Sequence, residues 1–200
     1  MSNRIALIAA AAALVLAAGC GADTAAQHPA DHTSPASAGA QDHNDADVTF
    51  AQQMIPHHEQ AVEMSDIVLA KKGIDPRVTD LATGIKAAQG PEIEQMRSWL
   101  TQWGAPQTTG HDMHDMSGGA MGAEMGMMSD EQMAALRNAA GTDAERMFLT
   151  AMTAHHEGAI AMAQNEIENG RFAPAVAMAR AIVATQQKEI DTMKGILATL

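Results

Sequence analysis

Four stretches of this chain place apolar side chains at helical intervals. Taken at 100° per residue, Phe50, Met54, His57, Ala61, Met64 and Val68 fall within about 60° of one another, with His58 at the edge of the stripe. Phe148, Met152, His155, Ala159 and Met162 form the same stripe further on. A second kind of stripe joins Ile85, Gln89, Glu92, Met96 and Leu100, and is mirrored by Gln186, Glu189 and Met193. Gly73 and Asp75-Pro76 break the first half of the pattern; Gly170 and Pro174 break the second at matching places. The pattern predicts helices over 47–72, 76–103, 143–169 and 174–199, with Asp143 as an N-cap and Pro56 as a kink in the first. Ser129-x-x-Gln132 is a capping-box sequence and predicts a short helix over 130–139, stopped by Gly141.

The matching breaks reflect an internal repeat at a spacing of about 98 residues. Met54-x-x-His57-His58-Glu59-Gln60-Ala61 aligns with Met152-x-x-His155-His156-Glu157-Gly158-Ala159, and Gln89-x-x-Glu92-Ile93-x-x-Met96 aligns with Gln186-x-x-Glu189-Ile190-x-x-Met193. Two helical hairpins with apolar stripes bury those stripes best by packing into one four-helix bundle with a pseudo-twofold axis. An all-α fold also suits a composition with no Tyr, three Phe and two Trp, in which Leu, Ile, Val and 16 Met supply the apolar volume.

Ahead of the repeat, Ile5 to Ala18 is an apolar run behind Arg4, too short to span a bilayer and suited to a secretory signal. It ends in Leu16-Ala17-Ala18-Gly19-Cys20, which resembles the lipobox of bacterial lipoproteins, where the Cys is lipidated. The expected organisation is a signal peptide over 1–19, a lipidated Cys20 with a flexible tether over 20–46, and a bundle domain over 47–200. The repeats cover about 47–103 and 143–200, and a connector covers 104–142. This places the chain at the extracytoplasmic face of the cell membrane, held there by its lipid. With Cys20, the only cysteine, so modified, disulfides, thiolate ligands and cysteine nucleophiles are excluded, and a soft metal ligand has to be Met. A formal charge of −12 with only twelve Lys and Arg excludes electrostatic binding to nucleic acid.

The candidate chemistry lies in Met and His. Met54 and His58, like Met152 and His156, sit four residues apart, so a thioether and an imidazole can converge on one ion from one helix, with His57 and His155 beside them. Met64, Gln89, Glu92, Met96, Met162, Gln186, Glu189 and Met193 are expected as further ligands or as groups that orient them. The connector offers His111, Met113, His114, Met116, Met121, Met125, Met127 and Met128 in a Gly-rich stretch without aliphatic periodicity, where methionine has no packing role to play. Thioether sulfur selects Cu(I), and imidazole also accepts Cu(II). The competing expectation is that His57 and His155 are core histidines hydrogen-bonded to Glu92 or Glu189, with the methionines filling core gaps.

These residues resemble the bacterial family known as domain of unknown function 305, over about residues 47–200. The matching positions are Met54, His57, His58, Gln89, Glu92-Ile93, Met96 and Trp99-Leu100 in the first half. Gly126 to Glu131, Phe148-Leu149, Met152, His155 to Ala159 and Met162-Ala163 match in the second. Ala144-Glu145 stands where members usually carry Phe-Asp. The resemblance implies a ferritin-like bundle and a role in extracytoplasmic copper handling.

The leading expectation is therefore a copper-binding lipoprotein that sequesters, buffers or delivers Cu(I) or Cu(II), with another copper-handling protein as partner and no organic cofactor. The alternatives are a ferritin-like metalloenzyme and a metal-free structural lipoprotein. The sequence lacks the Glu-x-x-His motifs of di-iron bundles and shows no recognisable catalytic constellation. An ordinary imidazole pKa of about 6.5 predicts bundle sites that weaken as pH falls from 7 toward 5.

Overall fold

The computed structural model describes residues 42–107 and 120–200; of Ala120 and Met121 it describes the backbone only. The helices among them are α1 (Asp45–Leu69), α2 (Pro76–Trp103), α3 (Ala120–Glu124), α4 (Asp130–Asn138), α5 (Gly141–Asn169) and α6 (Ala173–Leu197). The expected signal peptide, Cys20, the expected tether as far as residue 41, and His111, Met113, His114 and Met116 lie outside the described residues.

The four long helices match the expected spans to within three residues at each end, and the differences have local causes. Helix α1 starts at Asp45 because Asn44 caps it, its side chain accepting from the Ala46 and Asp47 amides while Asp47 accepts from the Asn44 amide. It runs through Pro56 as one helix. The N-cap expected at Asp143 does not form: α5 begins two residues earlier at Gly141, and Ala140 at the cap position offers no side-chain acceptor. Helix α4 opens with the Ser129–Gln132 capping box.

Helix α1 packs against α2 and α5, and α5 against α6, giving a bundle of two hairpins. Its core consists of two apolar clusters separated along every long helix. One contains Met64 and Val68 of α1, Val78 and Ile85 of α2, Phe148 and Met152 of α5, and Ile190 and Met193 of α6. The other contains Phe50 and Met54, Ile93 and Met96, Ala159 and Ala163, and Ala179 and Ile182. Each Met, Leu, Ile or Phe buried in these clusters contributes roughly 1.5–3 kcal/mol of transfer free energy. The residues between the clusters, at the waist of all four helices, are polar. No helix among the described residues is long and apolar enough to cross a membrane.

Two carboxyl groups fasten the ends of the bundle. Asp47 is fully buried and accepts from the Asn44, Arg171 and Phe172 amides at 2.7, 3.1 and 2.9 Å, tying the start of α1 to the α5–α6 turn. Glu145, at the position where the sequence departs from Phe-Asp, is buried and accepts from the Asp75 amide at 2.7 Å, which holds the α1–α2 turn.

Candidate metal centre

The polar waist is built from the repeated motifs. His57, His58, His155 and His156 are all fully buried, as are Gln89 and Gln186 to within 3%. His58 sits inside, although its helical angle puts it at the stripe's edge. The His57 and His155 rings meet across the α1–α5 interface with centroids 3.6 Å apart, and His57 and His58 are 6.4 Å apart. Met54 and Met96 flank this layer on one side, Met64, Met152 and Met193 on the other, all completely buried.

Hydrogen bonds fix which ring nitrogen carries a proton. His58 Nε2 donates to Glu92 at 2.9 Å and His156 Nε2 to Glu189 at 2.6 Å, while His57 Nε2 donates to the Met125 carbonyl at 2.9 Å. In the neutral ring a proton on Nε2 leaves the lone pair on Nδ1, and among the described residues no hydrogen-bond donor reaches the Nδ1 atoms of His57, His58 or His156. Among the described residues no well-formed hydrogen bond reaches the His155 ring nitrogens, the two amide atoms of Gln89 or the Gln186 carbonyl oxygen. A buried polar atom without a partner costs about 1–3 kcal/mol, so a layer holding so many of them is not explained by stability.

Burial, only partly offset by the hydrogen bond to Met125 and aided by the neighbouring His58 and His156, brings the His57 pKa down to about 3. Burial, with the other three rings, also holds His155 well below the ordinary value. His57 is therefore neutral near pH 5, the state in which imidazole is a ligand. For that ring the titration expected between pH 7 and 5 does not occur; the value for a solvated imidazole does not apply at a fully buried site.

The waist gathers Met54, His57, His58, Glu92 and Met96 with Met152, His155, His156, Glu189 and Met193, as their sequence spacing requires. Glu59 and Glu157 of the motifs turn outward, onto Arg97 and Lys194. Met162 is set apart: it lines a cleft of about 420 Å³ together with Asp45, Gln53 and Glu166 near the start of α1. The expectation that the connector methionines have no packing role is corrected for Met128, which is buried in the apolar core beside Met133 and Leu136, while Met125 and Met127 are half-buried. The connector returns to the bundle after α3, which a Gly-rich composition does not reveal. The expected pairing of His57 and His155 with the glutamates is likewise corrected, since the glutamates hold His58 and His156.

Among the described residues no three His, Cys, Asp or Glu side chains converge closely enough to enclose a metal ion without other ligands. The sequence reading missed the partners of the waist that come from the connector. Gln60 Nε2 donates to the Met128 carbonyl, and the Met128 amide donates back to Gln60 Oε1, both at 2.8 Å. Gly126 and Gly158 bring the connector and α5 into backbone contact: a Cβ on Gly158 would lie 1.8 Å from the Met125 carbonyl oxygen, and one on Gly126 2.1 Å from that of Ala154.

Two repeated hairpins closed around a buried histidine layer define a specific class of helical bundle. The chain belongs to the family described as Domain of unknown function (DUF305), whose model matches residues 47–197. Among solved structures, it is similar to a DUF305 fragment from Deinococcus radiodurans, at 33% identity and a TM-score of 0.70, over 78% of this chain and 98% of that one. A putative secreted DUF305 protein from Streptomyces coelicolor matches at 35% identity and a TM-score of 0.68, over 77% and 91%. CopM in its Cu(II)-bound form matches at 30% identity and a TM-score of 0.65, over 76% and 96%, and CopM is also known in Cu(I)-bound and Ag-bound forms. No curated protein matches.

Proposed function

We propose that this chain is a copper-binding protein that sequesters, buffers or delivers Cu(I), and also accepts Cu(II), through Met and His ligands at the waist of its bundle. The observation that carries this reading is the buried layer of four neutral-capable imidazoles whose Nδ1 atoms have no donor, flanked by the buried sulfurs of Met54, Met96, Met152 and Met193. The donor set fits the ion. Thioether sulfur beside imidazole favours Cu(I), and the imidazoles also accept Cu(II). Glu92 and Glu189 orient His58 and His156 from behind and offset the charge of a buried cation. The binding of Cu(I), Cu(II) and Ag by CopM supports the same reading.

His111, Met113, His114, Met116 and Met121 extend the ligand supply into the connector, as a second class of site. Lipidation at Cys20 anchors the protein at the extracytoplasmic face, where it exchanges copper with another copper-handling protein. Anaerobic titration with Cu(I), followed by native mass spectrometry, tests the waist directly. At least one ion is expected to be lost when His57→Gln and His155→Gln are combined; unchanged stoichiometry and affinity in that variant would overturn the assignment.

A further inference from the structure

The segment Met125–Met128 lies across the histidine layer in a way that packing alone does not require. Its backbone reaches α5 only because residue 158 has no side chain, and it is held on α1 by the paired hydrogen bonds of Gln60 to Met128. Seated there, it presents one carbonyl, that of Met125, to one ring nitrogen, His57 Nε2. His57 and His155 are the two rings without a carboxylate partner among the described residues, and they meet at a tilt of 35° with centroids 3.6 Å apart.

We propose that this strap is the positioning element of the His57 ligand, doing with a backbone carbonyl what Glu92 and Glu189 do for His58 and His156. An imidazole without a partner exchanges between its Nδ1–H and Nε2–H forms, and only the second leaves the Nδ1 lone pair free. The Met125 carbonyl can accept but cannot donate, so it selects the Nε2–H form and fixes the ring plane. Met125 thus contributes to the site through its backbone whatever its sulfur does, and Gly158 is the residue that admits it. The proposal rests on the waist being the copper site, and adds which group sets the ligand state of His57.

The test uses Gly158→Ala, in which the new methyl group and the Met125 carbonyl cannot both occupy their places. Alanine is the better helix former, so α5 itself is not weakened. Gln60→Ala releases the strap from the α1 side and serves where the first variant fails to fold. Gly84→Ala, where a Cβ meets nothing within 4 Å, is the control for a helical Gly-to-Ala change.

Imidazole ¹⁵N NMR of the metal-free full chain, with the His57 signals assigned by their loss in His57→Gln, reads the tautomer. The wild type and Gly84→Ala are expected to show Nε2–H at His57, and the strap variants a mixture or the Nδ1–H form. Cu(I) affinity at the waist, measured against a competing chelator, is expected to fall about ten- to a hundredfold in the strap variants, as for lost outer-shell partners of metal-bound histidines. A His57 that stays Nε2–H in both strap variants, or a Cu(I) affinity unchanged in both, overturns the proposal. A wild-type waist that takes up no Cu(I) sinks the copper reading instead, while the metal-free tautomer still decides whether the strap positions His57.

Discussion

Gln60 and Gly158 occupy the same position in the two repeats and hold one strap in opposite ways. Gln60 reaches out to it with both ends of its amide, and Gly158 receives it by having no side chain. The repeats are otherwise alike at the waist, each supplying two Met, two His, a Gln and a Glu, with offsets equal to within one residue. Where the connector lands the repeats differ, and His57 alone of the four rings meets the Met125 carbonyl.

Glu92→Gln and Glu189→Gln test how the waist is oriented. Each keeps the size of the side chain but replaces a charged acceptor with a neutral amide that can also present N–H to the ring. Each is expected to lower Cu(I) affinity about tenfold or more, with the double variant losing more than either single one. Competition with a Cu(I) chelator reads the loss, and a thermal melt shows that the metal-free fold is kept.

The histidine pair also sets the acid stability of the metal-free protein. A folded pKa of about 3 for His57 and a lowered one for His155 mean that the unfolded chain binds more protons below pH 6.5. Their contribution to stability is complete above that pH and is lost progressively as pH falls toward 3. Melting temperatures of the metal-free protein should therefore drop from pH 6.5 downward, and the slope should flatten in His57→Gln. The intrinsic ability of His57 to take Cu(I) should persist at pH 5, since that ring is already neutral there.

Glu166 produces the opposite slope on the alkaline side. Burial, with the hydrogen bond and charge of Asp47, pushes its pKa up to about 8 from an ordinary 4.5. Asp47 is held below its ordinary value because the hydrogen bonds from Glu166 and from three backbone amides outweigh its burial. The stabilisation from Glu166 is complete below pH 4.5 and is lost as pH rises through 8. Glu166→Gln should remove this part of the decline in thermal melts between pH 4.5 and about 8, leaving the contribution of the histidines unchanged.

Methionines that serve as ligands separate from those that pack. Met54→Leu and Met152→Leu keep volume and apolarity, so each is expected to cost less than about 1.5 kcal/mol of metal-free stability while weakening Cu(I) binding. Met128→Ala opens the core beside Leu136 and is expected to cost about 2–5 kcal/mol. Urea unfolding of the metal-free protein and Cu(I) competition, run on all three, make the comparison.

The long helices were legible because period, breaks and repeat all agreed, and the inward carboxylates Glu92 and Glu189 followed from the same stripes. Two things were hidden. Met125–Met128 carries no periodicity that points to a bundle, and its docking is written in residues that read as ordinary loop and helix, namely Gly126, Gly158 and Gln60. The signal was the one mismatch in an otherwise matching motif, Gln60 against Gly158. The state of the histidines was hidden as well, since a ring's pKa depends on burial between two apolar clusters, which spacing alone does not measure.

X-ray absorption at the copper edge, on the full chain loaded anaerobically with one equivalent of Cu(I), tests the central claim most directly. The account predicts a mixed first shell of imidazole nitrogen and thioether sulfur, with the nitrogen contribution lost when His57→Gln and His155→Gln are combined. A shell of sulfur alone, or one whose nitrogen survives in that double variant, would contradict it.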